Sequence, residues 1–261
     1  MPAFPTIFLS HGSPMLALQD SPARRFLQGL GKSLERPRAI LAVSAHWETR
    51  GSASVSLASL PETIHDFGGF PRALFKIQYP APGAPWTAER AAALLEASGL
   101  PVTCNADRGL DHGAWVPLSL MYPDADIPVT QLSLVQGAGP REHERLGQAL
   151  AALREEGVLV IGSGALTHNL SEFRGQPVDA PVPPWVSEFG SWMKARLEAN
   201  DHAALLDYRR LAPSGARNHP SEEHLLPLYV AMGAAGPGAR TVQLHASFEH
   251  GILAMDAYAF E

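Results

Sequence analysis

Six of the eleven histidines stand in short segments that read as strand ends or the mouths of turns. They are His11 in FLSHGSP, His46 in VSAHWET, His112 in LDHGAWVPL, His168 in IGSGALTHNL, and the pair His219 and His224 in NHPSEEHLLPL. Apolar runs that read as buried parallel strands precede three of them: TIFLS before His11, AILAVSA before His46 and VLVIGSG before His168. In open α/β sheets, ligands gather at the carboxyl ends of the strands. Imidazole both ligates metals and exchanges protons near neutral pH. Small neighbours (Ser10, Gly12, Ala45, Gly162, Gly164) leave room for other groups to approach. One histidine at a strand end is ordinarily structural; the joint pattern points to a metal or acid–base site assembled from distant segments. An enzyme is the first reading; a metal-dependent hydrolase that activates water and a non-catalytic metal or small-molecule binding protein are its rivals. His65, His143 and His202 are expected to be solvent-exposed.

Other chemistries lack their residues. There is no HExxH, GxSxG or P-loop segment, and GSGAL lacks the lysine of a phosphate cradle. A net charge of -6, with no basic run longer than Arg24-Arg25 or Arg209-Arg210, argues against nucleic acid as a partner. The single cysteine, Cys104, excludes an intramolecular disulfide framework and fits a reducing cytoplasm. Its run VTCN reads as a strand interior, so Cys104 is expected to be buried. The first residues, MPAFPTIFLSHGSP, lack the cationic stretch of a signal peptide, and no apolar run reaches membrane-span length. The expectation is a soluble cytoplasmic protein without a membrane partner.

The histidines need a scaffold, and apolar runs alternating with helical patterns supply one. Strands are expected in FPTIFLS, RAILAVSAH, SASVSLA, LPVTCNA, IPVTQLSLV, VLVIGSG, ARTVQLHASF and ILAMDAYAF. Helices are expected around SPARRFLQGLGKSLE, WTAERAAALLEASG (Thr87 as its N-cap), HGAWVPLSLMYP, GPREHERLGQALAALREEG, PPWVSEFGSWMKARLEAN and NDHAALLDYRRL. A further helix is expected from Pro220 through HPSEEHLLPLYVAMGAAG, interrupted by Pro227. The alternation predicts an α/β fold: a three-layer α/β/α single domain over 1–261 with a central, largely parallel sheet. The Gly/Pro-rich stretch from Thr63 to Pro85 is long enough for a binding loop, and its aromatics Phe67, Phe70, Phe75 and Tyr79 could line a pocket for a flat substrate.

FLSHGSP, SAHWET, TIHDFGGFP, YPAPG, LDHGAWVPL, GALTHNL, HPSEEHLLPL and the final MDAYAF, taken together and in this order, resemble the class III extradiol ring-cleaving dioxygenases. The branch they resemble is that of DOPA 4,5-dioxygenase and its bacterial homologues. The resemblance implies a non-haem Fe(II) enzyme that opens the ring of a catechol with O2 to give a semialdehyde. It implies His11 and His46 as metal ligands. The family's glutamate ligand falls on His224 here, so imidazole replaces carboxylate. An all-imidazole set also suits zinc, and the resemblance implies that zinc can occupy the site in isolated protein. His168 matches the acid–base histidine, with a fourth-ligand role as its alternative, and His112 the histidine beside the oxygen site. His219, Phe67, Phe70 and Tyr258 are expected to meet substrate. Glu222 and Glu223 are expected near the start of the Pro220 helix, where its dipole favours acids.

Overall fold

The computed structural model describes residues 3–261. Its first strands are β1 (Thr6–Ser10), β2 (Ala39–Thr49), β3 (Ala53–Ser56), β4 (Val102–Asn105), β5 (Val129–Val135) and β6 (Val158–Gly164). The C-terminal part adds β7 (Thr241–His245), β8 (Phe248–Glu249), β9 (Leu253–Ala254) and β10 (Ala257–Phe260). Eight of them form one sheet in the order β4-β3-β5-β2-β6-β1-β10-β7, and β8 pairs with β9 as a separate hairpin. The centre is parallel, through β5, β2, β6 and β1. β10 and β7 run antiparallel to it, and β3 meets β5 in an antiparallel bridge.

Strands covered on both faces should read as unbroken apolar runs, and the central ones do. Leu41, Val43, Val158 and Val160 face one core with Leu146, Phe189, Met193 and Tyr229. Ile40, Ala42, Leu159 and Ile161 face the other with Leu27, Leu30, Trp115 and Leu118. The first core is covered by helices α2 (Pro85–Ala97), α4 (Pro140–Ala149), α5 (Pro184–Glu198) and α9 (Leu226–Ala235), the second by α1 (Pro22–Ser33) and α3 (His112–Met121). Three short helices, α6 (His202–Leu206), α7 (Tyr208–Leu211) and α8 (Gly215–Asn218), join α5 to α9. The layers are therefore helix, mixed sheet, helix. Among the described residues no helix is long and apolar enough to cross a membrane.

Several local expectations are corrected. α2 begins at Pro85 with Ala84 at the cap position, so Thr87 lies inside the helix; proline opens a first turn because its missing N–H would find no partner there anyway. Pro227 starts α9 and does not interrupt it, so His219 to Leu225 forms a turn ahead of the helix. A helix running on from Pro220 would carry the Pro227 ring against a carbonyl of the preceding turn. Cys104 is exposed, because β4 is an edge strand paired only with β3. His143 is fully buried, its Nδ1 donating to the Gly139 carbonyl and its Nε2 accepting from the Val135 N–H. His65 and His202 are half-buried, the former bonded to the Ile77 carbonyl and the latter to Glu144.

Two irregularities serve the C-terminal edge of the sheet. Between Val43 and Glu48 β2 advances five residues while β5 advances only from Leu132 to Leu134, a bulge that lifts His46 out of the ladder. On β6, a Cβ at Gly162 or Gly164 would stand 2.1 or 2.0 Å from the carbonyl oxygens of Pro227 and His224. Glycine there lets the turn carrying His224 press directly onto the sheet, where the Ala165 N–H donates to the His224 carbonyl at 2.8 Å.

One buried acid in this frame yields a stability prediction. Burial pushes the Asp256 carboxyl up to about 6, opposed by hydrogen bonds from Gln243 and Tyr258. A carboxyl raised on folding binds more protons in the native state, so its contribution falls as pH rises from 3.8 to about 6. Relative to wild type, Asp256→Asn should therefore gain stability across that window and hold the gain above it, by at most about 3 kcal/mol at about 1.4 kcal/mol per tenfold change in proton affinity. Urea unfolding of both proteins at pH 4, 5, 6 and 7 checks this; a difference that stays flat with pH would remove Asp256 as a pH-dependent element.

Candidate metal centre

His11 follows β1, His46 rides on the β2 bulge, and His224 ends the turn that the β6 glycines admit. One ring nitrogen from each lies within 4.8 Å of the other two, and His11 Nε2 stands 3.1 Å from His46 Nε2. The partners of the other ring nitrogens decide which atoms carry lone pairs. The Ser163 hydroxyl donates to the Gly113 carbonyl, so its oxygen accepts from His11 Nδ1 at 3.0 Å and leaves Nε2 as the lone-pair atom. His224 Nδ1 donates to Glu223 Oε1 at 3.1 Å with the same consequence. His46 Nδ1 faces Asp66 Oδ2 at 3.6 Å. An outer oxygen on Nδ1 with Nε2 turned inward is the arrangement found around ligating histidines.

Electrostatics agree. Burial and then the neighbouring imidazoles hold His11 and His224 well below the usual histidine value, and burial followed by His112 brings His46 to about 4. All three are thereby kept neutral at neutral pH, the form that ligates. Three clustered imidazole lone pairs fit a divalent transition metal.

His112 opens α3 because Asp111, fully buried, caps the helix and accepts from Ser44, Gln131 and Arg108. Its ring centroid lies 3.9 Å from that of His46 and 5.4 Å from that of His11. Asp66 Oδ1 accepts the His112 backbone N–H and sits 3.0 Å from its Nδ1. Burial alone would raise the Asp66 carboxyl, but these His112 contacts outweigh it and bring it to about 2. His168 stacks on His224, centroids 3.4 Å apart and planes within 8°. Its ring nitrogens have no hydrogen-bond partner among the described residues, and burial lowers its proton affinity. His168, Glu223 and His224 also form a group whose ligand atoms could meet one ion.

A cavity of about 490 Å³ opens over these rings, bordered by His11, His46, His112, His168 and His224 and walled by Phe67, Phe70, Phe173 and Met255. Phe67 and Phe70 thus stand on the wall as expected of substrate contacts. Two other residues expected there stand elsewhere. His219 is fully buried among Phe189 and Tyr208, its Nε2 bonded to the Leu166 carbonyl. Tyr258 lies inside the sheet on β10 and bonds Asp256. Of the loop aromatics, Tyr79 is buried with its hydroxyl on the Tyr122 carbonyl, and Phe75 is partly exposed. Of the oxygens behind the ligating rings, Glu223 was expected only as an acid at a helix start, and Ser163 and Asp66 were not expected there. Asp66 sits inside the quoted TIHDFGGFP segment, so a signal for it was present.

The family described as the catalytic LigB subunit of aromatic ring-opening dioxygenase matches residues 5–257. The chain is 45% identical over 259 residues to the 4,5-DOPA dioxygenase extradiol of Beta vulgaris, covering 98% of this chain and 96% of that protein. It is 44% identical over 237 residues to the protein of the same name from Escherichia coli (strain K12), covering 88% of this chain and 84% of that one. The crystal structure of an uncharacterized protein from Escherichia coli K12 superposes with a TM-score of 0.84 at 35% identity, covering 99% of this chain and all of that one.

Proposed function

The chain belongs to the LigB family of aromatic ring-opening dioxygenases and is an extradiol ring-cleaving enzyme, and from that premise we propose that it opens a DOPA-like catechol with O2, metal-dependently, to a semialdehyde. The observation that carries the metal dependence is the inward set of Nε2 atoms on His11, His46 and His224, each ring facing an oxygen on its other side. When bound, Fe(II) supplies the Lewis acidity that acidifies a catechol hydroxyl and the redox capacity that O2 chemistry needs, whereas zinc supplies only the former.

The chain's own groups do the rest. His168, neutral and with free ring nitrogens, takes the proton of a catechol hydroxyl and returns it to the opening ring. Its stack on His224 holds the plane of the ring. Asp66 orients His112 through backbone and ring, so that the imidazole edge meets oxygen in the cavity. Phe67 and Phe70 offer faces for a flat ring and exclude water. Both oxygen atoms of O2 end in the product, so no external reductant is consumed. The lone thiol Cys104 suits a reducing compartment, in keeping with a cytoplasmic location.

Protein prepared anaerobically with Fe(II) should take up oxygen with DOPA or a simpler catechol and yield a yellow ring-opened product, while zinc-loaded protein should not. An oxygen electrode and absorption spectra check this. No uptake across a broad catechol panel, with hydrolysis of an ester or amide instead, would establish the hydrolase reading.

A further inference from the structure

We infer that Glu249 is a specificity-determining residue that selects, among catechols, those whose side chain carries a protonated amine. The inference rests on the reading that the cavity takes a catechol. Glu249 is only 7% exposed, yet it borders the cavity. Its Oε2 lies 3.8 Å from where a Cβ on Gly12, the residue after His11, would stand. Among the described residues its carboxylate makes no hydrogen bond and no ion pair, whereas the other three buried acids, Asp111, Glu144 and Asp256, all accept hydrogen bonds from side chains.

A buried carboxylate without a partner is costly unless a cation arrives to meet it. Met15, Phe173, Ile252, Leu253 and Met255 border the same cavity with no donor, and the polar lining residues Ser13, Gln19 and His250 make no hydrogen bond to the carboxylate. Glu249 is also the one acid among the lining residues, and no lysine or arginine is among them. A catechol with an anionic tail therefore finds a like charge and no fixed cation at that end, whereas an ammonium finds its counterion.

The carboxylate is held in place. Glu249 pairs with Leu253 in the β8–β9 hairpin, whose turn carries positive φ at His250 (55°) and Gly251 (69°). A Cβ on Gly251 would stand 2.5 Å from the Pro181 carbonyl oxygen, so the hairpin lies clamped on the segment before α5. His250 Nδ1 donates to the Gln176 carbonyl from the same turn.

The test compares 4-(2-aminoethyl)catechol, 4-ethylcatechol and 3-(3,4-dihydroxyphenyl)propanoate, which differ in the charge of one tail. With Fe(II)-loaded wild type, kcat/KM from oxygen uptake should fall in the order amine, neutral, acid. In Glu249→Gln the amine-to-neutral ratio should drop roughly 10- to 100-fold, the span of a charged hydrogen bond. A second readout needs no turnover: calorimetry of metal-free protein should show tyramine binding tighter than 4-ethylphenol to wild type, with the preference gone in Glu249→Gln. Equal or better use of the acid by wild type, or an unchanged amine-to-neutral ratio in the variant, overturns the inference. Should the variant fail to fold, the wild-type substrate order and tyramine preference decide. Absence of uptake with every catechol counts against the dioxygenase reading, while the calorimetric preference alone upholds or overturns Glu249.

Discussion

His224→Ala protein should retain no stoichiometric Fe(II) or Zn(II) after dialysis, while Glu223→Ala should retain metal with affinity lowered roughly 10- to 100-fold, the usual cost of losing an outer partner of a ligating histidine. His224 Nδ1 faces Glu223, so its remaining nitrogen is the atom available to a metal shared with His11 and His46. Removing the ring leaves two imidazoles, too few to hold an open metal site; removing the carboxylate leaves all three but frees one to rotate. Competition with a chromophoric chelator, monitored alongside elemental analysis, separates the cases. If Glu223→Ala loses the metal and His224→Ala keeps it, the ligand set is the two-histidine, one-carboxylate arrangement of the broader family.

His168→Ala should keep its metal and lose roughly 10²- to 10⁴-fold in kcat, the range for a positioned general base. The loss should fall on kcat more than on KM, because the ring is assigned to proton transfer and not to holding substrate. Added imidazole should restore part of the rate, since truncation opens a ring-sized space against His224. Steady-state oxygen uptake with and without imidazole measures both effects. Loss of metal in this variant would instead make His168 a fourth ligand.

What could be read from the chain followed physical lines. The central strands were legible because burial on both faces leaves unbroken apolar runs, and histidines directly after or near the ends of such runs had to lie at one edge of the sheet. His224 was reached through resemblance, while the helix drawn around it was wrong: Pro227 begins α9, and His219 and His224 lie in the turn ahead of it. His143 and Cys104 were misjudged for opposite reasons. A polar helix face concealed a histidine that ties α4 to β5, and an apolar pattern concealed an edge strand open to solvent. Ser163, Asp66 and Glu249 act on or beside groups distant in sequence, and neither periodicity nor spacing encodes such meetings.

The three imidazoles of the candidate centre come from the residue after β1, from the β2 bulge and from the turn ahead of α9, with most of the chain lying between the second and the third. An unfolded chain cannot present them together, so an ion held there would bind the folded form alone and act as a thermodynamic latch between the two ends of the polypeptide. Such a latch adds about 4 kcal/mol when free metal stands about a thousandfold above its dissociation constant. Metal supply would then govern how long the enzyme survives in the cell as well as whether it turns over.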